Sequence, residues 1–279
     1  MKRLLKKAFL VAGVTAIAAG ATLAYFSDTE TSVGNTFVAG QLDLKISNRS
    51  WYHGPNDQGV VGTWPREDLS WSADDLMYED GLYHLFFDYE DLKPGDWGED
   101  TIDIYIDDNP GWVCMDVEIT ATPENGQTEP EMMVDPTDGL DDGELQDELQ
   151  IVFWADDGDN VHEEGEAPLF LGTLQELSDA GYITIADSQF NAWGLDGEPI
   201  PGGEEVYIGK AWCYGNLAPA PVPQDGSGDL INPSGAQGPG VTCDGMPVGN
   251  ESQTDEVVLD VMFEAEQWRH NDTFLCVPE

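Results

Sequence analysis

The side chains here that can do chemistry are overwhelmingly carboxylates, and two segments concentrate them. "WADDGDNVHEEGE" groups Asp156, Asp157, Asp159, Asn160, Glu163 and Glu164 around Gly158, and "DPTDGLDDGE" groups Asp135, Asp138, Asp141, Asp142 and Glu144. Calcium is the ion that suits such groups, because it takes six to eight hard oxygens from a flexible loop. Neither segment keeps the D-x-D-x-D-G register of a dedicated calcium loop, which favours reading both as solvated acidic loops. Asp156, Asp157, Asp159 and Glu163 are the calcium candidates; no other cofactor is expected.

No catalytic constellation stands out. The four histidines are His53, His84, His162 and His270, and none forms H-E-x-x-H. In "HEEGE" (162–166) Glu166 stands where a zinc protease needs its second imidazole, one helical turn from the first. With 55 carboxylates, close acidic pairs are inevitable and carry no information about glycosidase chemistry. "GGEEVYIG" lacks the G-K-[ST] end of a phosphate loop. An enzyme is therefore not expected. Three N-x-[ST] sequons mark Asn48, Asn250 and Asn271 as glycosylation candidates, while Asn232 is excluded by the proline after it. The aromatics Trp51, Tyr52, Trp64, Trp71, Tyr78 and Tyr83 can form a glycan-binding face, but such bulk more often roofs one end of a sandwich.

The elements that must carry these residues are strands. Leu42, Leu44 and Ile46 alternate in "QLDLKI"; Ile102, Ile104 and Ile106 alternate in "TIDIYI" against Asp103 and Tyr105. "VCMDVEIT" turns Val113, Met115, Val117 and Ile119 inward and Cys114, Asp116 and Glu118 outward. "DEVVLDVMFEAEQW" alternates Val257, Leu259, Val261, Phe263 and Ala265. A period of two with a wet face marks half-buried antiparallel strands, and several of them argue for an all-β sandwich. "LFFDY", "IVFW" and "EVYIGKAW" are shorter strand candidates. One helix is expected over Leu174–Ala180, capped by Gly181. Pro94-Gly95 signals a type II turn, and the short "DNPGW" link predicts a hairpin between the strands on either side of it. The four cysteines allow three pairings; Cys213–Cys243, closing a Gly/Pro-rich loop, and Cys114–Cys276, tying the C-terminus to a strand, are favoured.

Bulk composition sets the environment. Lys2, Arg3, Lys6 and Lys7 precede an acid-free apolar run ending at Ala24, which reads as a secretory signal over residues 1–24. The remainder carries six cations against 55 acids. At low salt so anionic a chain repels itself, whereas at molar salt the screening length falls to about 3 Å. A high-salt habitat, that of a halophilic archaeon, is the expectation, and nucleic acid is not expected as a partner because phosphates repel such a surface.

Between the signal and the first strand, Tyr25 to Val38 is polar but strand-tolerant. Together with "GATLAYFSDTETSVGNTFVAGQLDL", the "LKPGD" turn at Leu92–Asp96 and "FEAEQ" at Phe263–Gln267, it resembles the TasA/camelysin family of exported proteins. Phe37, Gly40, Leu42, Asp43 and Leu44 match the family's first-strand motif, and "QWRHNDT" looks like the ending of haloarchaeal members. The middle of the chain, 121–255, matches no motif. The resemblance implies a jelly-roll domain over 39–279, and the acidic, turn-rich and Pro/Gly-rich composition of about 121–200 and 214–242 reads as insertions hung on it. It implies cutting by a SipW-type signal peptidase and secretion to the cell surface or biofilm matrix. There, members polymerise head to tail into fibres or pili, with other matrix or anchor proteins as further partners. Residues 25–38 then act as a donor strand for the next copy, with Tyr25, Phe26, Val33 and Phe37 as its apolar contacts.

Overall fold

The computed structural model describes residues 27–30, 42–56, 58–137, 139–226, 228 and 238–277. The chain is all-β: thirteen strands with two short helices among the described residues. A four-stranded sheet runs β1 (Ser27–Glu30), β13 (Val258–Gln267), β6 (Gly111–Ala121), β9 (Ile183–Ala186). A larger one runs β3 (Val61–Pro65), β2 (Leu44–Pro55), β5 (Trp97–Ile106), β10 (Glu205–Tyr214), β7 (Leu149–Asp156), β8 (Pro168–Thr173). β4 (Trp71–Ala73) shares the outer edge of β2 with β3. β11 (Asn216–Pro219) and β12 (Val241–Asp244) form a separate hairpin. The ladders of the two large sheets are antiparallel throughout.

One core joins the two large sheets, and the period-two residues fill it. Leu44, Ile46, Ile102, Ile104 and Ile106 meet Val113, Met115, Val117, Phe263 and Ala265 across the interface. Each fully buried aliphatic or aromatic side chain there contributes about 1.5–3 kcal/mol. A second, smaller cluster lies on the opposite face of the larger sheet, where Leu217 and Val241 of the β11–β12 hairpin cover Val152, Trp154 and Ala211. Both disulfides form as the spacing suggested. Cys213–Cys243 staples that hairpin to β10, and Cys114–Cys276 fastens the C-terminal segment to β6. By loop-closure entropy they stabilise the fold by about 4 and about 5 kcal/mol respectively. Cys276 also explains why Cys114 is buried instead of outward and wet.

The helix α2 (Leu174–Ala180; α1 is Leu145–Glu148) holds its predicted bounds. Thr173 accepts the Glu176 amide and Glu176 reaches back to the Thr173 amide, a capping box; Gly181 closes the other end at φ 70°. The turn at Pro94-Gly95 is also present, with Gly95 at φ 94° and the Asp96 amide donating to the Lys93 carbonyl at 2.8 Å.

Three expectations are corrected. β5 and β6 are not a hairpin: they lie in different sheets. Both edges of β5 are taken, by β2 and by β10, so the chain after Pro110 crosses to the facing sheet. Gly111 sits at the crossing, where a Cβ would come within 3.0 Å of Ile106 and 3.2 Å of the Glu266 carbonyl. "LFFDY" forms no strand. The outer edge of β2 beside it is already occupied, so Phe86 enters the core from a loop. The stretch 121–200 is more than an insertion, since it supplies β7, β8 and β9, and β7 lies next to β10 deep in the larger sheet.

Candidate functional site

Two features stand out: the outer edge of β13 and the loop that follows β7. On the edge, β1 pairs with β13 in the register Ser27↔Glu266, Asp28↔Ala265, Thr29↔Glu264, Glu30↔Phe263. Ala265 and Phe263 are wholly buried. The row of β13 that faces the core is therefore matched by two acidic positions, Asp28 and Glu30. β1 covers four of the ten residues of β13; Val258–Met262 have no strand on that side among the described residues. Tyr25, Phe26, Val33 and Phe37 lie outside the described residues.

The loop after β7 gathers carboxylates beneath the protein surface. β7 ends on Asp156, which accepts the Trp154 indole N–H at 3.2 Å and the amides of Gly158 and Asn160 at 3.2 and 3.4 Å. This turns the chain sharply, with Gly158 at φ 106°, where a Cβ would press on Tyr207 at 3.0 Å. Asp159 accepts the Val161 amide on Oδ1, and Glu163 accepts the Asp225 amide on Oε1. The Glu163 amide donates to Glu166 Oε2 at 2.7 Å. Asp157 Oδ1, Asp159 Oδ2 and Glu163 Oε2 are left buried with no hydrogen-bond partner. Oxygens of Asp156, Asp157 and Asp159 lie within 4.8 Å of one another, as do those of Asp157, Glu163 and Glu166, and those of Asp159, Glu163 and Asp225.

Electrostatics follow from burial without a counter-ion. Burial pushes the Asp156 carboxyl up to about 6. Burial, then the charges of Asp156 and Asp157, push Asp159 to about 7. Glu166 rises to about 8, with burial again the largest cause. Beneath the loop, Glu99 of β5 is fully buried with both oxygens unpartnered, and it is held well above the carboxylate range by burial and then by Asp156, Asp100 and Asp159. Such a cluster either shares protons or takes a hard divalent cation.

The sequence grouped Asp156, Asp157, Asp159 and Glu163, and the fold brings all four together. The expectation of a solvated loop is corrected: Asp156, Asp159 and Glu163 are at most 2% exposed. The reason is cover from distant segments, since the Glu163 and His162 strips pair with Val222 and Pro239. Glu99, Glu166 and Asp225 were missed. Glu166 alone left a local signal, three residues after Glu163.

Other candidates sort by exposure. Asn48 is buried, and its amide donates to the Leu69 carbonyl at 2.7 Å, so the folded chain offers no nitrogen there for a glycan. Asn250 is exposed and Asn271 is half-buried. Of the aromatics, Trp51 and Tyr52 are buried, and Tyr52 packs with Trp64, Tyr89 and Trp212, so these form a roof. The carboxylate groups described contain no histidine: His53 stacks on Trp97, His84 packs on Trp71, and His162 lies against Trp154. Among the described residues no helix is long and apolar enough to cross a membrane. Compared with protein-family models and with curated proteins, the sequence finds no match.

Proposed function

We propose that the protein is a secreted structural subunit of an extracellular fibre, with a jelly-roll sandwich whose freed amino-terminal segment adds to the β13 edge of the next copy. The observation that carries this reading is the pairing of β1. Its hold on its own chain is short, and its register sets Asp28 and Glu30 against the buried row of β13. A shift of one residue turns every side chain of a strand to the other face. In a register shifted by one residue on a neighbour, Tyr25, Ser27, Thr29, Thr31 and Val33 take the row facing the core while Phe26 turns to the other face of the strand, and the segment reaches along Val258–Met262 as well. Each added backbone hydrogen bond contributes about 0.5–1.5 kcal/mol net. The contact is heterologous, so it propagates as a filament. The two disulfides fit the oxidising exterior that a signal-processed chain reaches, and the TasA/camelysin resemblance points the same way, with a SipW-type signal peptidase freeing Tyr25.

The test locks β1 at home. Protein beginning at Tyr25 is imaged by negative-stain electron microscopy in molar NaCl, beside Ser27→Cys/Glu266→Cys with its new bond verified by peptide mapping. Fibres from the unmodified chain and from each single variant, with monomers from the locked one, are expected. Fibres of unchanged abundance from the locked chain would sink the reading. A second reading, a monomeric surface module, draws on the carboxylate loop after β7; calcium binding by a chain that never assembles would favour it.

A further inference from the structure

A second carboxylate centre lies elsewhere, at the far end of the β6–β13 pair. After Ala121 the chain makes an excursion over 122–144. The Gly143 amide donating to the Thr122 carbonyl closes its base, and the Glu256 amide donating to the Pro123 carbonyl ties it to the approach to β13, both at 2.9 Å. Thr254 Oγ1 adds a bond to the Gly126 carbonyl at 2.9 Å. Inside the excursion Glu124, Glu131 and Asp135 are at least 95% buried, and Glu144 and Asp255 complete the group.

The protein frame holds one side of most of these carboxylates and leaves the other side bare. The Thr128 amide donates to Glu131 Oε2 at 2.8 Å, Thr137 Oγ1 to Glu144 Oε1 at 3.2 Å, and the Glu144 amide to Asp255 Oδ2 at 2.6 Å. Glu131 Oε1, Glu144 Oε2, Asp255 Oδ1 and both oxygens of Glu124 are buried with no hydrogen-bond partner. Oxygens of Glu124, Glu131 and Asp255 lie within 4.8 Å of one another, and so do those of Glu124, Asp135 and Glu144. Among the described residues no lysine or arginine forms an ion pair with any of the five. Surface acidity suited to brine does not account for this, because Glu124, Glu131 and Asp135 are buried, as are the unpartnered oxygens of the half-buried Glu144 and Asp255.

We infer that Glu124, Glu131 and Asp255, flanked by Asp135 and Glu144, bind a calcium ion that clamps the 122–144 excursion to the entrance of β13. Opposite ligands of calcium stand about 5 Å apart, which matches the spread of the oxygens. Glu124, with both oxygens free, can serve as a bidentate ligand, and the flexible, all-carboxylate set suits calcium better than magnesium, which keeps several waters in a strict octahedron.

The inference stands independently of the fibre reading, and a reversal of sign tests it. Full-length protein is stripped with EDTA in molar NaCl, and its melting temperature and calorimetric calcium titration are compared with those of Glu131→Gln/Asp255→Asn. Without calcium the variant should melt at or above the parent, because two mutually repelling buried anions are gone. With calcium the parent should melt higher than the variant, and the variant should lose one site or weaken it about a hundredfold. Asp159→Asn/Glu163→Gln, in the loop after β7, should keep that site. Hydrogen exchange of the parent, which requires no variant to fold, should slow over 122–137 and 253–256 when calcium is added. A parent that binds no calcium, a variant that binds as many ions as tightly, or exchange in those segments unmoved by calcium would overturn the assignment.

Discussion

Glu99 and Asp100 are neighbours on β5 and both are fully buried, yet they live in opposite electrostatic worlds. Asp100 faces the core between the sheets, where Lys210 of β10, its cross-strand partner, reaches it at 3.0 Å. That ammonium also donates to the Phe86 carbonyl at 3.3 Å and lies 3.8 Å from the Phe87 ring centre. Glu99 points the other way, under the loop after β7, and its charged neighbours are Asp156, Asp100 and Asp159. One strand thus handles buried charge by two devices, a desolvated ion pair on one face and an anion cluster needing a proton or a cation on the other. The contrast shows that the chain's few cations are not spread to neutralise its acids. One of them is placed in the core, where a fixed pair organises three segments, and among the described residues the carboxylate centres have none.

The sharpest way to break this comparison is to remove the cation. Lys210→Met leaves Asp100 buried beside a thioether, and is expected to cost about 3–5 kcal/mol in denaturant unfolding at molar NaCl. Adding Asp100→Leu should recover most of that loss, since an apolar pair replaces a pair that was costly to desolvate. A single variant as stable as the parent would mean that Asp100 carries no charge and that the two faces of β5 do not differ.

The strands were legible because a period of two reports which residues face the core, and Ile102, Ile104 and Ile106 need no tertiary information to declare themselves. The same period says nothing about which edge a strand offers, so the partners of β5 and the crossing at Pro110–Gly111 could not be read from it. The carboxylate loop was half legible. Asp156, Asp157, Asp159 and Glu163 are close in sequence, but their burial is imposed by Val222, Asp225 and Pro239, and Glu99 arrives from another strand. Asn48 teaches the same lesson in reverse: its sequon is intact, and only the fold shows that its amide is already engaged.

The anionic face should reveal itself by pH. Carboxyls at about 6 (Asp156) and about 7 (Asp159, Glu144) in the folded chain stand above their unfolded values near 4. The folded chain therefore holds protons that the unfolded chain has released. Stability contributed by these groups is complete below about pH 4 and is lost as pH rises through 6 to 8. In EDTA, unfolding free energy should fall by roughly 4 kcal/mol between pH 5 and pH 8 from Asp156 and Asp159. Saturating calcium should flatten this slope, because the ion binds best once the protons have left. A flat profile in EDTA would mean that the cluster is not proton-linked.

The smallest effect is the most discriminating. Burial, then Asp156, Asp100 and Asp159, push Glu99 well above the ordinary carboxylate range and so favour its neutral acid, which is the same size as glutamine and equally uncharged. Glu99→Gln in EDTA should therefore change stability by less than about 1 kcal/mol, since no charge is removed and the two groups desolvate alike. The same substitution in calcium separates two arrangements under the loop. If the melting temperature again matches the parent, Glu99 is a bystander that keeps its proton while Asp157, Asp159 and Glu163 do the binding. If the variant falls behind only when calcium is present, Glu99 gives up its proton to join the ligand set. A loss above about 2 kcal/mol in EDTA would show that Glu99 is anionic in the resting fold, and β5 would then carry two buried charges with a single lysine between them.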